Sequence, residues 1–407
     1  MEDHTDVLSC DPVALYGRGE IVDPEFDLGR LVDTARRFSG AVEVVAEIFP
    51  ATLVRRPAPA AAFGHDPEFT AYVAGVFDRI NRDHAAVSPV LLVRIRDAIV
   101  WNNMLFAVAD GRVAPLYECY RPNDRGAKGE RLVARLAACA RRDTIDPGGR
   151  PTLFMGSAGS FNYGHWLVDD VPALACAGTL WPANARARVL ISSFDYANID
   201  AVRRDGLALA LGPDREVDVL SLDQAVAYRV RDLHFVTPSS YHPLNKHPAS
   251  IAYAKSLIHR SLAEDPGRSR PERIFVNRDA GWLRRLVNVE DLRAVFRGAG
   301  YEEVVPESLP LREQWATFGA AHEIVGIMGA AMASTLLSPA GARVGHLAPS
   351  GWLEPFFWDL AAMSGHRYAA AHGPDDGVGE YAYRRSFSIP PSILERLIDV
   401  LRAGPPR

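Results

Sequence analysis

His165 and Asp169 stand four positions apart in FNYGHWLVDDVPAL, the stretch Phe161–Leu174. On a helix that spacing puts both side chains on one face. An imidazole or a carboxylate near an open cleft suits removal of a proton from an attacking hydroxyl. Asp169 can instead orient the His165 ring. The same residues also fit a plain helix start, with Asp169 and Asp170 as a solvated or capping pair.

Further along, Arg278 ends the strand-like RIFVNR, and Arg284 and Arg285 follow a short loop. A cation at the end of a parallel strand points toward the crevice where such sheets bind ligands. Guanidinium groups pair with phosphate oxygens in a forked geometry, so these arginines suit a diphosphate. The competing expectation is surface ion pairing with Asp279 or Glu290. Gly326, Gly329 and Ala330 fall between a strand and a helix, where backbone amides can face a phosphate at the helix N-terminus. Close packing alone would also call for small residues there. Glu307 and Gln314 flank a helix start, and Gln314 equally suits stabilising that helix or tethering the loop. Trp352, Phe356, Phe357, Trp358 and His366 form an aromatic and histidine group that fits either a sugar-stacking surface or a core.

The elements that would position these residues read as α/β. A strand is expected over Ala41–Ile48, then a Pro/Ala-rich loop and a helix near Asp66–Asn81. VLLVRIRDAIVWNNMLFAVADGRVAPLYE alternates branched apolar and polar residues around an Asp110-Gly111 turn, which predicts a small antiparallel meander. From Thr152 the strands TLFMG, RVLIS, EVDVL and DLHFV alternate with helices at Trp166–Gly178, Asp200–Leu211 and Asp223–Ala227, a parallel-sheet pattern. A polar stretch with Ser239, Ser240, His242, Asn245, Lys246 and His247 leads into a helix over Ala249–Ala263. EDPGRSRPER is linker-like. Alternation then resumes with RIFVNR, a helix over Val289–Ala299, YEEVVPE, a helix over Leu311–Ala321, and EIVGIMG. The predicted division is 1–264 as an α/β domain with a β-rich N-terminal section, 265–390 as a second α/β domain, and 391–407 as a helix (Pro391–Arg402) and tail. Two doubly wound domains would bind ligands in a cleft at the carboxyl ends of their strands.

Bulk properties narrow the function classes. A chain of 407 residues is long for one hydrophobic core. A net charge of -5 supplies no electrostatic footprint for nucleic acid. Cys10, Cys119, Cys139 and Cys176 are scattered, with no CxxC pair, so reduced thiols are expected in place of a zinc site or disulfide framework. The acidic start MEDHTDVLSCDP lacks the basic and apolar regions of a signal peptide. The apolar run Ile324–Leu337 falls short of a membrane span and fits a buried strand, turn and helix. A cytoplasmic protein is the expectation.

Four segments in order resemble glycosyltransferase family 61, which includes many capsular polysaccharide biosynthesis proteins. FNYGHWLVDDVPAL looks like the family's HWL-x-D-x-x-P box, and RIFVNRDAGWLRRLVNVEDL (Arg273–Leu292) is similar to its R…R-x-x-x-N…L box. PESLPLREQWATFGAAHEIVG (Pro306–Gly326) and MGAAMASTLLSPAGARVGHLAP resemble the two boxes that follow. The resemblance covers residues 155–350 and weakens before residue 90. It implies a GT-B-like architecture, two Rossmann-like domains facing across a cleft, and inverting transfer of a sugar from a nucleotide-sugar donor to a glycan or lipid-linked acceptor at the inner face of a membrane. His165 and Asp169 take the catalytic positions. Arg278, Arg284, Asn288, Glu307, Gln314, Gly329, Ala330 and His346 take donor-binding positions. No tightly bound cofactor is implied, and no aspartate pair has metal-ligand placement, so a metal is not expected to be essential. The chain departs from the pattern at Met328, Ser334 and His346, where the family writes His, Asn and Glu. A histidine cannot grip both ribose hydroxyls as a carboxylate does, so a catalytically impaired nucleotide- or glycan-binding subunit is the alternative.

Overall fold

A computed structural model describes residues 41–403 apart from 82–84, 110–111, 116–134, 147, 158, 182–184, 195, 213–215, 263–268, 279–282 and 379–380. The predicted Asp110-Gly111 turn and much of the predicted linker lie outside the described residues. In chain order the strands of the two large sheets are β1 (Val42–Phe49), β2 (Ala61–Phe63), β3 (Val90–Trp101), β4 (Met104–Ala109), β5 (Arg112–Pro115), β6 (Arg142–Ile145), β7 (Thr152–Phe154) and β8 (Ala187–Ser192). They continue with β9 (Val217–Leu222), β10 (Ala227–Val236), β11 (Arg273–Val276), β12 (Glu302–Val304), β13 (Glu323–Ile327), β14 (Arg343–Pro349) and β15 (Arg367–Gly373). The longer helices are α1 (Pro67–Ile80), α2 (Ala197–Leu211), α3 (Pro248–Leu262), α4 (Val289–Gly298), α5 (Leu311–Ala320), α6 (Phe356–Met363) and α7 (Pro391–Arg402). The described chain forms two compact units: residues up to 53 with 86–261, and 54–85 with 262 onward.

The first unit is built on a mixed sheet of order β9-β8-β7-β10-β3-β4-β5, with β1 also paired to β3 and β6 to β10. Its α/β half is parallel (β9, β8, β7, β10), and its meander half is antiparallel. The β3–β4 hairpin turns at Asn102 and Asn103, whose φ values of 49° and 56° are both positive. Asparagine tolerates that left-handed backbone, as a tight hairpin requires. Branched and aromatic side chains of β3, β7, β8 and β10 (Val93, Ile95, Phe154, Leu190, Phe235) share one core. Asp223–Ala227 is not the predicted helix. It is a turn closed by Val226 N–H donating to the Asp223 carbonyl, and Ala227 opens β10. Five residues are too few to offset helix nucleation when a paired strand starts beside them.

The second unit carries a six-stranded, all-parallel sheet of order β12-β11-β13-β14-β15-β2. Alternate residues Phe275, Val325, Ile327, Leu347, Ala369 and Ala371 share a core with Leu292 and Phe296 of α4 and Leu394, Leu397, Ile398 and Leu401 of α7. The opposite face is covered by other elements: Met332 lies over Gly326, and Phe77 of α1 packs edge-on to Trp358 of α6 at 5.4 Å. Helices on both faces of a parallel sheet explain why its central strands are largely apolar.

Two predicted boundaries do not coincide with these units. Residues 54–85 join the C-terminal sheet, although the predicted division had placed them in 1–264. The physical reason is β2, which pairs in parallel with β15, together with a buried ion pair between Arg56 and Asp359 and a 2.8 Å bond from Trp358 Nε1 to the Pro57 carbonyl. Helix α7 likewise packs its buried leucines into that sheet's core. In α1, Asp66 accepts a bond from Phe69 N–H, Pro67 opens the first turn, and Val73, Val76, Phe77 and Ile80 form the buried stripe.

Candidate active site

In the first unit, Asn162 caps the turn Tyr163–His165 by accepting from Gly164 N–H, and the chain then widens into a π turn over Trp166–Asp170. Pro172 lacks the N–H that an α-helix would aim at the Val168 carbonyl, so the ladder departs from i→i−4 here. On this turn His165 Nδ1 lies 2.8 Å from Asp169 Oδ2, as the i, i+4 spacing predicts, and both side chains are nearly buried. The His242 ring meets the imidazole edge-on, with centroids 4.8 Å apart. Gly159 presses against the same ring: a β-carbon there would lie 2.4 Å from His165 Cγ, so no larger residue fits without moving the imidazole. Engaging Nδ1 with a carboxylate fixes the tautomer, and proton exchange at this ring then runs through Nε2.

Asp170 is almost fully buried beside this pair. Burial pushes its carboxyl up to about 6, against the opposing influences of Arg203, Ser160 and Ser157 and with a further push from Asp169. The sequence reading offers Asp170 only as part of a solvated or capping pair and gives no role to Arg203 or His242. An adjacent Asp-Asp pair is a visible signal, but that both carboxylates face inward depends on the π turn.

In the second unit the strand order reverses between β11 and β13, the position at which parallel sheets bind ligands beyond their carboxyl ends. Arg278 lies just past β11 and Gly329 just past β13. A β-carbon on Gly329 would sit 3.0 Å from Arg278 Nη1 and 3.8 Å from Arg284 Nη2, so both guanidiniums converge on this glycine. Arg284 adopts φ 61°, donates its backbone N–H to the Arg384 carbonyl, and lays its guanidinium 4.2 Å from the centre of the Trp352 ring. Burial, then the charge of Arg278, pushes Arg284 down to about 9, with Tyr383 and Glu354 opposing. Arg278 is also lowered by burial, opposed by Glu307. The buried Nη1 of Arg278 and Nε of Arg284 have no hydrogen-bond partner among the described residues. Two crowded cations with unpartnered donors form a site complementary to an anion.

The remaining sequence candidates separate. Glu307 is exposed and near enough to influence Arg278. Ala330 opens a 3₁₀ helix running to Leu337, directly after Gly329. Asn288 is committed to structure: its Nδ2 donates to the Ile389 carbonyl and its Oδ1 accepts from Ile389 N–H, leaving a tie between α4 and the segment before α7 rather than a donor contact. Gln314 donates to the Leu309 carbonyl at 2.9 Å, the loop-tethering role. His346 is a correction. The alternation of β14 turns it into the core, fully buried between Phe357 and Tyr368, with ring centroids 4.7 and 5.4 Å away. Burial, assisted by His372, pushes His346 down to about 3. It presents nothing to a ribose. Arg285 is exposed, and its carbonyl accepts from Phe387 N–H. Met328 and Ser334 are buried, as are Phe356, Phe357, Trp358 and His366, while Trp352 remains partly accessible beneath Arg284.

Cys139 and Cys176 are free thiols, and burial pushes Cys176 up to about 12. Among the described residues, no group of three His, Cys, Asp or Glu side chains is arranged to hold a metal ion, and no helix is long and apolar enough to cross a membrane.

The family model described as Glycosyltransferase 61 matches residues 163–345. That span holds His165, Asp169, Arg278, Arg284 and Gly329, and over it the chain is similar to glycosyltransferase family 61. No curated protein matches the chain in sequence. Among solved structures, the bacterial iron-containing dodecameric glycosyltransferase TibC from enterotoxigenic E. coli H10407 aligns over 72% of this chain and 81% of its own. The identity is 10% and the TM-score 0.26, too low for that likeness to carry an argument.

Proposed function

We propose that this glycosyltransferase moves a sugar, with inversion, from a nucleoside-diphosphate donor to a glycan or lipid-linked acceptor in polysaccharide biosynthesis. The observation that carries the reading is the convergence of Arg278 and Arg284 on Gly329, with buried donors left unpartnered at the switch point of a parallel sheet. A departing diphosphate gains charge as the glycosidic bond breaks. Fixed guanidiniums stabilise that charge most where water is excluded. In this reading His165, oriented by Asp169, takes the acceptor hydroxyl's proton through Nε2. The proposal extends to the GT-B arrangement implied by the family, to a cytoplasmic location with peripheral membrane association, and to transfer without an essential metal, because the two arginines supply the neutralising charge.

The test is a transfer assay across a panel of nucleotide sugars with Arg278→Ala and His165→Ala controls, run with and without EDTA. Turnover that depends on both residues supports the reading. Loss of activity in EDTA, restored by a divalent ion, would contradict the metal-independent part. The burial of His346 favours a second reading, a subunit that binds nucleotide without turnover, since no ribose-gripping carboxylate stands in its place. Tight diphosphate binding with no transfer from any donor would select it.

A further inference from the structure

Asp169 and Asp170 are neighbours on the π turn, and both carboxylates face inward. Asp169 is joined to His165, while Asp170 faces Ser157, Ser160 and Arg203. Arg203, on α2, is fully buried. Its Nη1 donates to the Ser192 carbonyl at 2.6 Å and reaches Asp200 at 3.4 Å, and its guanidinium lies 5.0 Å from the centre of the Phe194 ring. Asp200 is itself drawn toward the Ser193 hydroxyl and Phe194 N–H. Arg203 Nε and Nη2 have no hydrogen-bond partner among the described residues, and the Asp170 carboxyl is approached by Ser160 and Ser157 without a well-formed bond to either oxygen. The charges of Arg203 and Asp170 are therefore felt over distance rather than cancelled in a close pair, in an interior where screening is weak.

We infer that Asp170 and Arg203 form an electrostatic positioning pair that sets the proton affinity of His165 through Asp169. The inference rests on the reading of His165 as the proton acceptor, but its physical content does not need the reaction. An ionised Asp170 adds negative charge beside the Asp169–His165 pair and strengthens the imidazolium. The Arg203 cation works in the opposite sense. Asp169 and His242 are among the groups facing His165, and Arg203, Asp169, Ser157 and Ser160 face Asp170. Because burial holds the Asp170 carboxyl near 6, its charge changes within the range where an imidazole titrates. The turn Ser157–Ser160 couples the same region to the ring mechanically. Ser160 Oγ accepts from Ser157 N–H at 2.7 Å and donates to the Ser157 carbonyl at 3.0 Å, while Gly159 between them abuts the imidazole.

The test is the pH titration of His165 by NMR of histidine-labelled full-length protein, assigned with His165→Ala. Asp170→Asn, nearly isosteric, is expected to lower the His165 midpoint by about 0.5–1 pH unit and to abolish any inflection near pH 6 in its shift curve. Added to Asp170→Asn, where no carboxyl remains for the lost cation to protonate, Arg203→Met is expected to raise the midpoint again. Opposite signs in the two steps are what electrostatic coupling requires, and a merely structural role would not produce them. An unmoved midpoint in Asp170→Asn, or a further fall on adding Arg203→Met, overturns the inference. Should Arg203→Met fail to fold, Asp170→Asn decides alone. No donor or acceptor enters the experiment, so its outcome is independent of whether sugar transfer is found.

Discussion

The guanidinium of Arg284 rests 4.2 Å from the centre of the Trp352 ring, with Arg278 as the neighbouring cation. The indole face offsets part of the cost of crowding two positive charges, and an anion would offset more. Pyrophosphate or a nucleoside diphosphate is therefore expected to bind the native chain and raise its melting temperature. At a ligand concentration a hundredfold above Kd the gain is about 2.7 kcal/mol. Arg278→Ala and Arg284→Ala should each weaken binding roughly tenfold to a hundredfold, from loss of a charge-assisted hydrogen bond of about 1.5–3 kcal/mol. Trp352 reports the event directly: anion binding is expected to change its fluorescence in the native protein and not in Arg284→Ala. An unchanged melting temperature at millimolar diphosphate would remove the basis for the site.

The same geometry fixes a pH dependence. Only the protonated guanidinium attracts an anion, and burial beside Arg278 pushes Arg284 down to about 9. Diphosphate affinity is thus expected to hold between pH 7 and 8 and to fall above about pH 9, in contrast to a site built on ordinary arginines. Calorimetry should also show proton uptake on binding near pH 9. Affinity that is flat to pH 10.5 would show that the Arg284 charge is not depressed.

Gly159 and Gly329 are both approached by a functional side chain, and the two substitutions should separate. In Gly159→Ala the new carbon would fall 2.4 Å from His165 Cγ, so the ring must move. Transfer should then drop by about 10²–10⁴, the usual worth of a positioned general base, with little change in diphosphate binding. In Gly329→Ala the closest atom is Arg278 Nη1 at 3.0 Å, the far end of a flexible side chain. Fold stability should hardly change, while diphosphate affinity falls several-fold. Activity with each protein and isothermal titration with the nucleoside diphosphate check the pair.

Much of the fold is legible because local chemistry and packing agree. Asp66, Pro67 and Asn81 mark both ends of α1, and Pro391–Arg402 is read to the residue, since caps and a 3.6-residue apolar stripe are local signals. What a linear reading cannot see is which sheet a segment joins. The strand Ala61–Phe63 is three residues long and owes its place to partners some three hundred positions away, so chain order alone puts residues 54–85 on the other side of the linker. Among the candidate residues, His165 meets Asp169, and Arg278 and Arg284 converge on Gly329, groupings that residue type and position at element ends suggest. Asn288 is held by backbone partners and His346 by the core, for different reasons. An asparagine at a helix start has backbone partners to satisfy. A histidine within an apolar run is placed by strand alternation, and either parity is plausible until the sheet's two faces are known.

His346 leads to the last expectation, which concerns acid stability. Neither of its ring nitrogens has a hydrogen-bond partner among the described residues. Its proton affinity is lowered by burial to about 3, and that of buried His372 to about 4. An unfolded histidine titrates near 6.5. Between that value and the folded one, the unfolded chain binds more protons than the native one, so stability rises with pH there and is lost as pH falls. For each histidine the loss is up to about 1.4 kcal/mol per pH unit below 6.5. Denaturant melts at pH 7.5 and pH 4.5 should therefore show a steep acid loss in the native chain and a shallower one in His346→Leu. At neutral pH the leucine variant should equal or exceed the native stability, because removing an unpartnered buried polar group relieves a desolvation cost. An undiminished acid slope in His346→Leu, or a loss of several kcal/mol at pH 7.5, would mean that the His346 nitrogens are satisfied in solution and that the residue is more than a tolerated polar group in an apolar core.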